Sequence, residues 1–278
     1  MGVIFGLLAA LGWGGGDFAL SRISRRIGPL ATLLYIQAAG VLSIGLVLLV
    51  RRDLPPLDPE LWALGVVVNL LNVAGTLFLY RALAVGTVMI VSPIAASFAV
   101  VTATLAMLGG ERLAPLTLAG VALVMAGVVV VSRGGGREPL ALNGVPAALG
   151  AALAYGAFFY LLGPVTAGMG IAWPVLIGRV MACSLAAGAL LWRRQRPAPL
   201  SPRLLAMIVI ASSLDTLGFL AYNTGIATAY VSVVTALASI FSAVTVLLAW
   251  VLLRERLVRT QWAGVVAVLV GVLLVSLR

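Results

Sequence analysis

A chain of 278 residues that is 63% hydrophobic and 9% charged, with a mean hydropathy of +1.18, is an integral membrane protein rather than a soluble domain. Its net charge of +10 comes from arginine without a single lysine, and 17 of the 18 arginines fall at predicted helix ends or in loops, a membrane-topology pattern rather than a nucleic-acid patch. The absence of histidine and lysine, the single cysteine (Cys183) and the lack of a Walker A string leave no support for a metal centre, internal disulfide, Schiff base or ATP-driven step, so no cofactor is expected.

A membrane-crossing helix needs about 20 apolar residues. Ten segments qualify: 3–20, 29–50, 61–80, 86–108, 114–132, 143–161, 171–192, 204–222, 229–252 and 260–277. Span one has no basic leader and runs into Gly12-Trp13-Gly14-Gly15-Gly16-Asp17 rather than a cleavage site, so it is read as a permanent helix. Trp13 and Asp17 share one face of it. Span two carries Gln37. Span three carries Asn69, Asn72 and Thr76 on one face, ending near Tyr80. Span four contains Pro93, and the turn Gly110-Glu111-Arg112-Leu113 leads into span five with Gly120 and Gly127.

The later spans repeat this plan. Span six carries Tyr155 and Phe159, and span seven carries Arg179 and Cys183. Span eight offers Ser212, Asp215 and Phe219 on one face, then Tyr222. Span nine bears the small hydroxyls Ser232, Thr235, Ser239 and Ser242, followed by Arg254-Glu255-Arg256-Leu257 and a last span with Gly264 and Gly271. The offset between copies is 144 from Glu111/Glu255 onward and 142 for Gly2/Gly144, Gly14/Gly156, Gly28/Gly170 and Tyr80/Tyr222, which places a small insertion after Tyr222. The chain thus divides into repeats 1–136 and 137–278, each with five spans. An odd number of crossings turns the second copy upside down relative to the first, so the expected fold is all-α and integral to the membrane: ten transmembrane helices in two inverted five-helix repeats around a central cavity.

Polar side chains within the spans are the candidates for chemistry, because each is costly to keep there. Arg179 is the one arginine away from a helix end, and Asp215 is its natural partner. The pair reads either as a staple between two helices or as a site where Arg179 receives a substrate carboxylate and Asp215 a proton or amino group. Asp17 reads either as a cavity carboxylate for an amine or a proton, or as an end charge paired with Arg22 or Arg25. Between the copies, Trp13 matches Tyr155, whereas Asp17 faces Phe159, Gln37 faces Arg179 and Val73 faces Asp215. The candidate substrate-binding set is Trp13, Asp17, Gln37, Asn69, Asn72, Tyr80, Tyr155, Arg179, Asp215 and Tyr222. Glu111 and Glu255 are assigned to turn structure, the hydroxyl stripe and the paired glycines to close helix packing, and Cys183 to packing.

The ten-span duplication, the Gly-Glu-Arg-Leu turn with its Arg-Glu-Arg-Leu echo, and the Gly-Trp-Gly-Gly-Gly-Asp-Phe end of span one resemble the EamA family of the drug/metabolite transporter superfamily across essentially all 278 residues. That resemblance implies a basket of ten helices, a cavity built mainly by the first four helices of each half, peripheral fifth and tenth helices, and export of amino acids or other small metabolites. It implies a multi-pass protein of a bacterial-type inner membrane, with a small-molecule substrate, protons as a candidate coupling ion, no nucleic acid, and a monomer or weak homodimer. It also implies cytoplasmic termini. The arginine count implies the reverse, because the loops after the odd-numbered spans hold 13 arginines against 4 on the other side. A proline is common in the fourth helix of each half of such proteins, yet Pro93 is matched at an offset of 144 by Leu237, which puts a shared hinge in doubt.

Two rival classes, a protease and a channel, fit the sequence less well. Gly14-Gly15-Gly16-Asp17 matches the Gly-x-Gly-Asp string of intramembrane aspartyl proteases, with Asp215 as a second carboxylate. In that family the string holds the second aspartate of the chain, Asp215 follows Leu214 rather than a tyrosine, and a duplication has no part to play. Proton-coupled drug or amine efflux stays open beside amino-acid export, whereas a channel is disfavoured by polar residues that are few, asymmetric and near mid-helix.

Overall fold

The computed structural model describes residues 2–54, 56–108, 115–133, 143–196, 199–228, 234, 238, 240–254 and 258–276. All regular structure among them is helical: α1 (Gly2–Ile27), α2 (Pro29–Arg51), α3 (Pro59–Val85), α4 (Val88–Ala96), α5 (Phe98–Leu108), α6 (Pro115–Arg133), α7 (Val145–Met169), α8 (Trp173–Trp192), α9 (Pro202–Thr228), α10 (Phe241–Leu248) with a π-helical turn (Ala249–Leu253), and α11 (Arg259–Ser276). Helices α1, α2, α3, α7, α8 and α9 are long and apolar enough to cross a membrane, and shorter apolar helices cover Val88–Thr102, Phe241–Leu252 and Trp262–Leu274. Large apolar side chains such as Leu42, Leu46, Leu49 and Val67 face outward, as a lipid-facing surface requires. The turns around Glu111 and Glu255, and Ser232, Thr235 and Ser239, lie outside the described residues.

Prolines open many of these helices, where a missing N–H costs nothing. Helices α1, α3, α7 and α9 run past the expected ends at 20, 80, 161 and 222 to 27, 85, 169 and 228. Apolar runs measure hydrocarbon, not helix. The extra turns of α1 carry Arg25 and Arg26, cations that suit a helix C-terminus and reach water beyond the lipid core.

Most helices find their main neighbour in the other copy. Helix α1 lies along α9 and α3 along α7, while α2 pairs with α8, α6 with α11 and α4 with α10. The fit is reciprocal down to single glycines. A Cβ on Gly75 would meet the Tyr155 ring at 2.8 Å, and one on Gly218 would meet the Trp13 ring at 2.6 Å. A Cβ on Gly127 would sit 2.8 Å from the Gly264 carbonyl, and one on Gly271 2.8 Å from the Gly120 carbonyl. Small residues thus let backbones approach where hydrophobic forces between helices are absent.

These contacts correct the alignment of the copies. Gly75/Gly218 and Phe98/Phe241 stand at an offset of 143, whereas Trp13/Tyr155 stands at 142 and Gly127/Gly271 at 144. The insertion after Tyr222 is therefore two separate single-residue insertions. One lies between α8 and α9, the other between Phe241 and Gly264, the interval that holds the π-helical turn. A π turn takes up one residue more than an α turn. Asp215 consequently faces Asn72, not Val73, and the Tyr80/Tyr222 match that suggested otherwise is a coincidence of composition.

The fourth span is broken. Ser97 stands in a turn (φ −65°, ψ 2°) between α4 and α5, just after Pro93, which cannot donate to the Met89 carbonyl. Ile240, its equivalent at 143, also stands in a turn (φ −65°, ψ −12°) directly before α10. Both copies therefore interrupt this span at one place, although the residue matching Pro93 is Ala236.

Candidate functional site

Residues from α1, α2, α3, α4, α5, α7, α8, α9 and α10 line a central cavity. Trp13, Asp17, Gln37, Asn69, Asn72, Tyr80, Tyr155, Arg179 and Asp215 all line it. Tyr222 stands behind this wall, its ring 5.5 Å from Trp13 and 5.4 Å from Phe159. Thr76, Phe98, Phe158, Phe159, Phe219, Asn223 and Phe241 complete much of the lining.

Arg179 is 3% exposed, and its guanidinium is held on several sides. Nη1 lies 2.6 Å from Asp215 Oδ2 and donates to Gln37 Oε1 at 2.8 Å, while Nη2 donates to Thr216 Oγ1 at 3.2 Å. Thr216 in turn lies 3.3 Å from Ser43 Oγ, and the guanidinium carbon sits 5.8 Å from the Phe219 ring centroid. Gly40 makes room for the side chain, since a Cβ there would stand 2.8 Å from Cδ and Nε of Arg179. Gln37 and Arg179, equivalent in the two copies, thus meet where α2 crosses α8. Buried charge survives in hydrocarbon when paired and hydrogen-bonded this fully. Asp215 is the more open partner, with 18% of its side chain exposed.

Asp17 is buried and lines the same cavity, yet it makes no ion pair or hydrogen bond among the described residues. Neither alternative pairing, with Arg22 or with Arg25, is formed. Arg25 donates instead to the Leu83 and Gly86 carbonyls at 3.3 and 2.7 Å. On α3, Asn69 Nδ2 donates to the Gly65 carbonyl at 2.9 Å, which turns its Oδ1 toward Asn72 Nδ2 at 3.4 Å and leaves Asn72 Oδ1 without a partner. Thr76 Oγ1 donates to the Asn72 carbonyl and accepts from the Tyr155 hydroxyl at 3.1 Å. Asn223 Nδ2 donates to the Ile171 carbonyl at 2.8 Å, and its Oδ1 is likewise unpartnered.

The rest of the wall is aromatic. Trp13 packs against Phe159, Phe219 and Phe241 at 5.9, 5.2 and 6.2 Å, and Phe98 stacks on Phe159 at 4.7 Å and on Phe241 at 6.3 Å. Phe98 and Phe241, which the sequence reading missed, follow the two helix breaks directly. Their recurrence at an offset of 143 was the signal that would have found them.

A helical chain with an apolar exterior, most of its charges at helix ends and only Asp17, Arg179 and Asp215 lining an internal cavity, is a multi-pass membrane protein. The EamA-like transporter family model matches residues 1–133 and again 142–277, so the chain belongs to that family, and with it to the drug/metabolite transporter superfamily. An uncharacterized protein of Methanocaldococcus jannaschii is 28% identical over 131 residues, which cover 47% of this chain and 95% of that relative. It is thus about as long as one copy. A solved crystal structure, described only as that of a protein, aligns with a TM-score of 0.70 at 18% identity over 98% of this chain and 94% of its own, a likeness of fold alone.

Proposed function

We propose that the chain is a secondary transporter of the plasma membrane, the inner membrane in a bacterial cell. Its two five-helix copies lie in opposite orientations, and it exports a small metabolite by alternating access through the central cavity. The substrate is an amino acid with an apolar side chain. One observation carries this reading: Asp17, the Arg179–Asp215 pair and the amides of Gln37, Asn69 and Asn72 share one cavity with a wall of aromatic rings. A zwitterion with an apolar body matches such a mixture of polar groups and aromatic walls. Reciprocal packing of the copies supports rocking of one half against the other, as inverted repeats permit.

Counterflow in proteoliposomes with a panel of amino acids, with and without a pH gradient, tests it. Exchange that saturates and depends on the pH gradient is the expected result for proton-coupled export. Ion current at channel rates from single molecules in a planar bilayer would sink the alternating-access reading. For orientation, the arginine count places Arg193, Arg194 and Arg196 on the cytoplasmic side. Labelling of single cysteines in the 193–196 loop from outside the cell would reverse that assignment. A second reading, efflux of amines, is favoured by the lone carboxylate of Asp17.

A further inference from the structure

We infer that the central site selects its substrate by an ammonium group, with Asp17 as the counter-charge and Asn72 Oδ1 and Asn223 Oδ1 as neutral acceptors, and that a carboxylate on the substrate is dispensable. This rests on the transport reading above and names the substrate class: primary amines with an apolar or aromatic body, amino acids being the subset that also carry an acid.

Three observations lead there. The charged groups lining the cavity are Asp17, Arg179 and Asp215, contributed by α1, α8 and α9. Arg179 is matched by Asp215 at 2.6 Å and spends further donors on Gln37 and Thr216, so the acidic group left without a cationic partner is Asp17. A substrate carboxylate would have to share a guanidinium that is 3% exposed and already paired with Asp215, whereas an ammonium has no ion pair to compete with at Asp17. Buried polar atoms are normally paired, and the exceptions mark what is missing. Two amide oxygens of cavity-lining residues have no partner, Asn72 Oδ1 and Asn223 Oδ1, their own nitrogens donating to Asn69 Oδ1 and to the Ile171 carbonyl. Trp13 Nε1, also without a partner, is packed against Gly218, whose added Cβ would lie 2.7 Å from it. The Asp17 carboxyl and the two free amide oxygens together call for a cationic donor. An ammonium, with three N–H groups and one charge, is that donor. Trp13, Phe159 and Phe219 line the same cavity and take the apolar body.

The test is binding of three probes with one body to the purified full chain in lipid nanodiscs by calorimetry: 2-phenylethylamine, phenylalanine and 3-phenylpropionate. The first two are expected to bind and the third to bind at least about tenfold more weakly, the factor that 1.4 kcal/mol produces. Asp17→Asn is expected to weaken both amines about tenfold or more, and Asp17→Glu to restore them in part. Asn72→Leu is expected to cost a smaller factor. Binding of the acid as tight as that of the amine, undiminished amine binding by Asp17→Asn, or no binding of any probe overturns the inference. The comparison among probes uses the unaltered chain, so it stands even where a variant does not assemble. Counterflow of the same probes separates the two readings: amine binding without counterflow sinks the transport reading and leaves ammonium selection intact, and counterflow of the acid in preference does the opposite.

Discussion

In the first copy the end of α1 is tied to the end of α3. Ser24 Oγ donates to the Tyr80 carbonyl at 3.0 Å, and Arg25 reaches the Leu83 and Gly86 carbonyls. In the second copy the matching hydroxyl, Thr166 Oγ1 on α7, is buried without a hydrogen-bond partner, and Ala167 stands where Arg25 would be. The middle of the bundle behaves otherwise. Thr102 Oγ1 donates to the Gly156 carbonyl at 2.9 Å, and its equivalent, Thr245 Oγ1, donates to the Gly14 carbonyl at 3.1 Å. The mid-membrane framework is thus the same in both copies, while the helix ends are tied differently: by Ser24 and Arg25 in the first copy, and in the second by Asn223 Nδ2 of α9, which donates to the Ile171 carbonyl of the α7–α8 turn. Beside the α7–α8 turn lies a second cavity, lined by Arg51, Asp53, Met169, Ile171 and Trp173. If the proposed rocking of the halves takes place, the partnerless hydroxyl of Thr166 is where a contact matching that of Ser24 would form.

The comparison breaks most severely at its centre. Asp215→Ala strands Arg179 in a 3% exposed site, and losing one partner of a buried pair costs about 3–5 kcal/mol. Thermal unfolding in detergent should show this single variant as the least stable, with transport abolished. The double variant Arg179→Ala with Asp215→Ala removes both charges and is expected to assemble but not transport. A double variant that is folded and fully active would remove the pair from the site.

A smaller effect tests whether the framework is equivalent in both copies. An added Cβ on Gly14 would lie 2.6 Å from Val244 Cβ, and one on Gly156 would lie 2.6 Å from Val101 Cγ1. Gly14→Ala and Gly156→Ala are each expected to destabilise by about 1–3 kcal/mol, as overpacking does. Equal shifts in Tm support the reciprocal framework; a shift confined to one copy contradicts it.

Much of this was legible in the sequence because membrane insertion is read from composition and the turns repeat. Arg179 and Asp215 were traceable as partners, since an arginine at mid-span has few ways to be compensated. The alignment within α3 and α9 was not legible. A tyrosine in each copy, Tyr80 and Tyr222, offered a match one residue away from the one that packing selects, and interhelical fit between Gly75 and Tyr155 has no signature along the chain. Nor could sequence reveal that Arg25 turns to backbone carbonyls rather than to Asp17, because helix-end geometry decides which acceptors it reaches.

The tie at Ser24 is worth less. Ser24→Ala removes one hydrogen bond, about 1 kcal/mol, and should loosen the α1–α3 end. Thr166→Ala removes a hydroxyl that has no partner, so it should be neutral or slightly stabilising in the same assay. Labelling of single cysteines at Arg26 and at Ile171, in a Cys183→Ser background, reads the two ends separately. Increased labelling at 26 in the Ser24→Ala variant alone is the expected outcome; matched changes at both ends would contradict separate ties at the two ends.

The smallest effect is expected where the copies differ by a single residue. The π-helical turn Ala249–Leu253 falls in the interval where the offset between copies passes from 143 to 144, whereas α5, its counterpart, is α-helical from Phe98 to Leu108. Deleting Val251 lets the π turn close as an α turn, with Arg254 left to end the helix and α11 still facing α6. Deleting Leu105 from α5 has no surplus residue to absorb it, and every later side chain in that helix turns by about 100°. The Val251 deletion is therefore expected to change stability by less than about 1 kcal/mol, within the range of neutral substitutions, and the Leu105 deletion by several times more. Thermal unfolding of the two deletions decides it. A Val251 deletion as damaging as the other would mean that the extra residue shapes the helix for function rather than merely lengthening it.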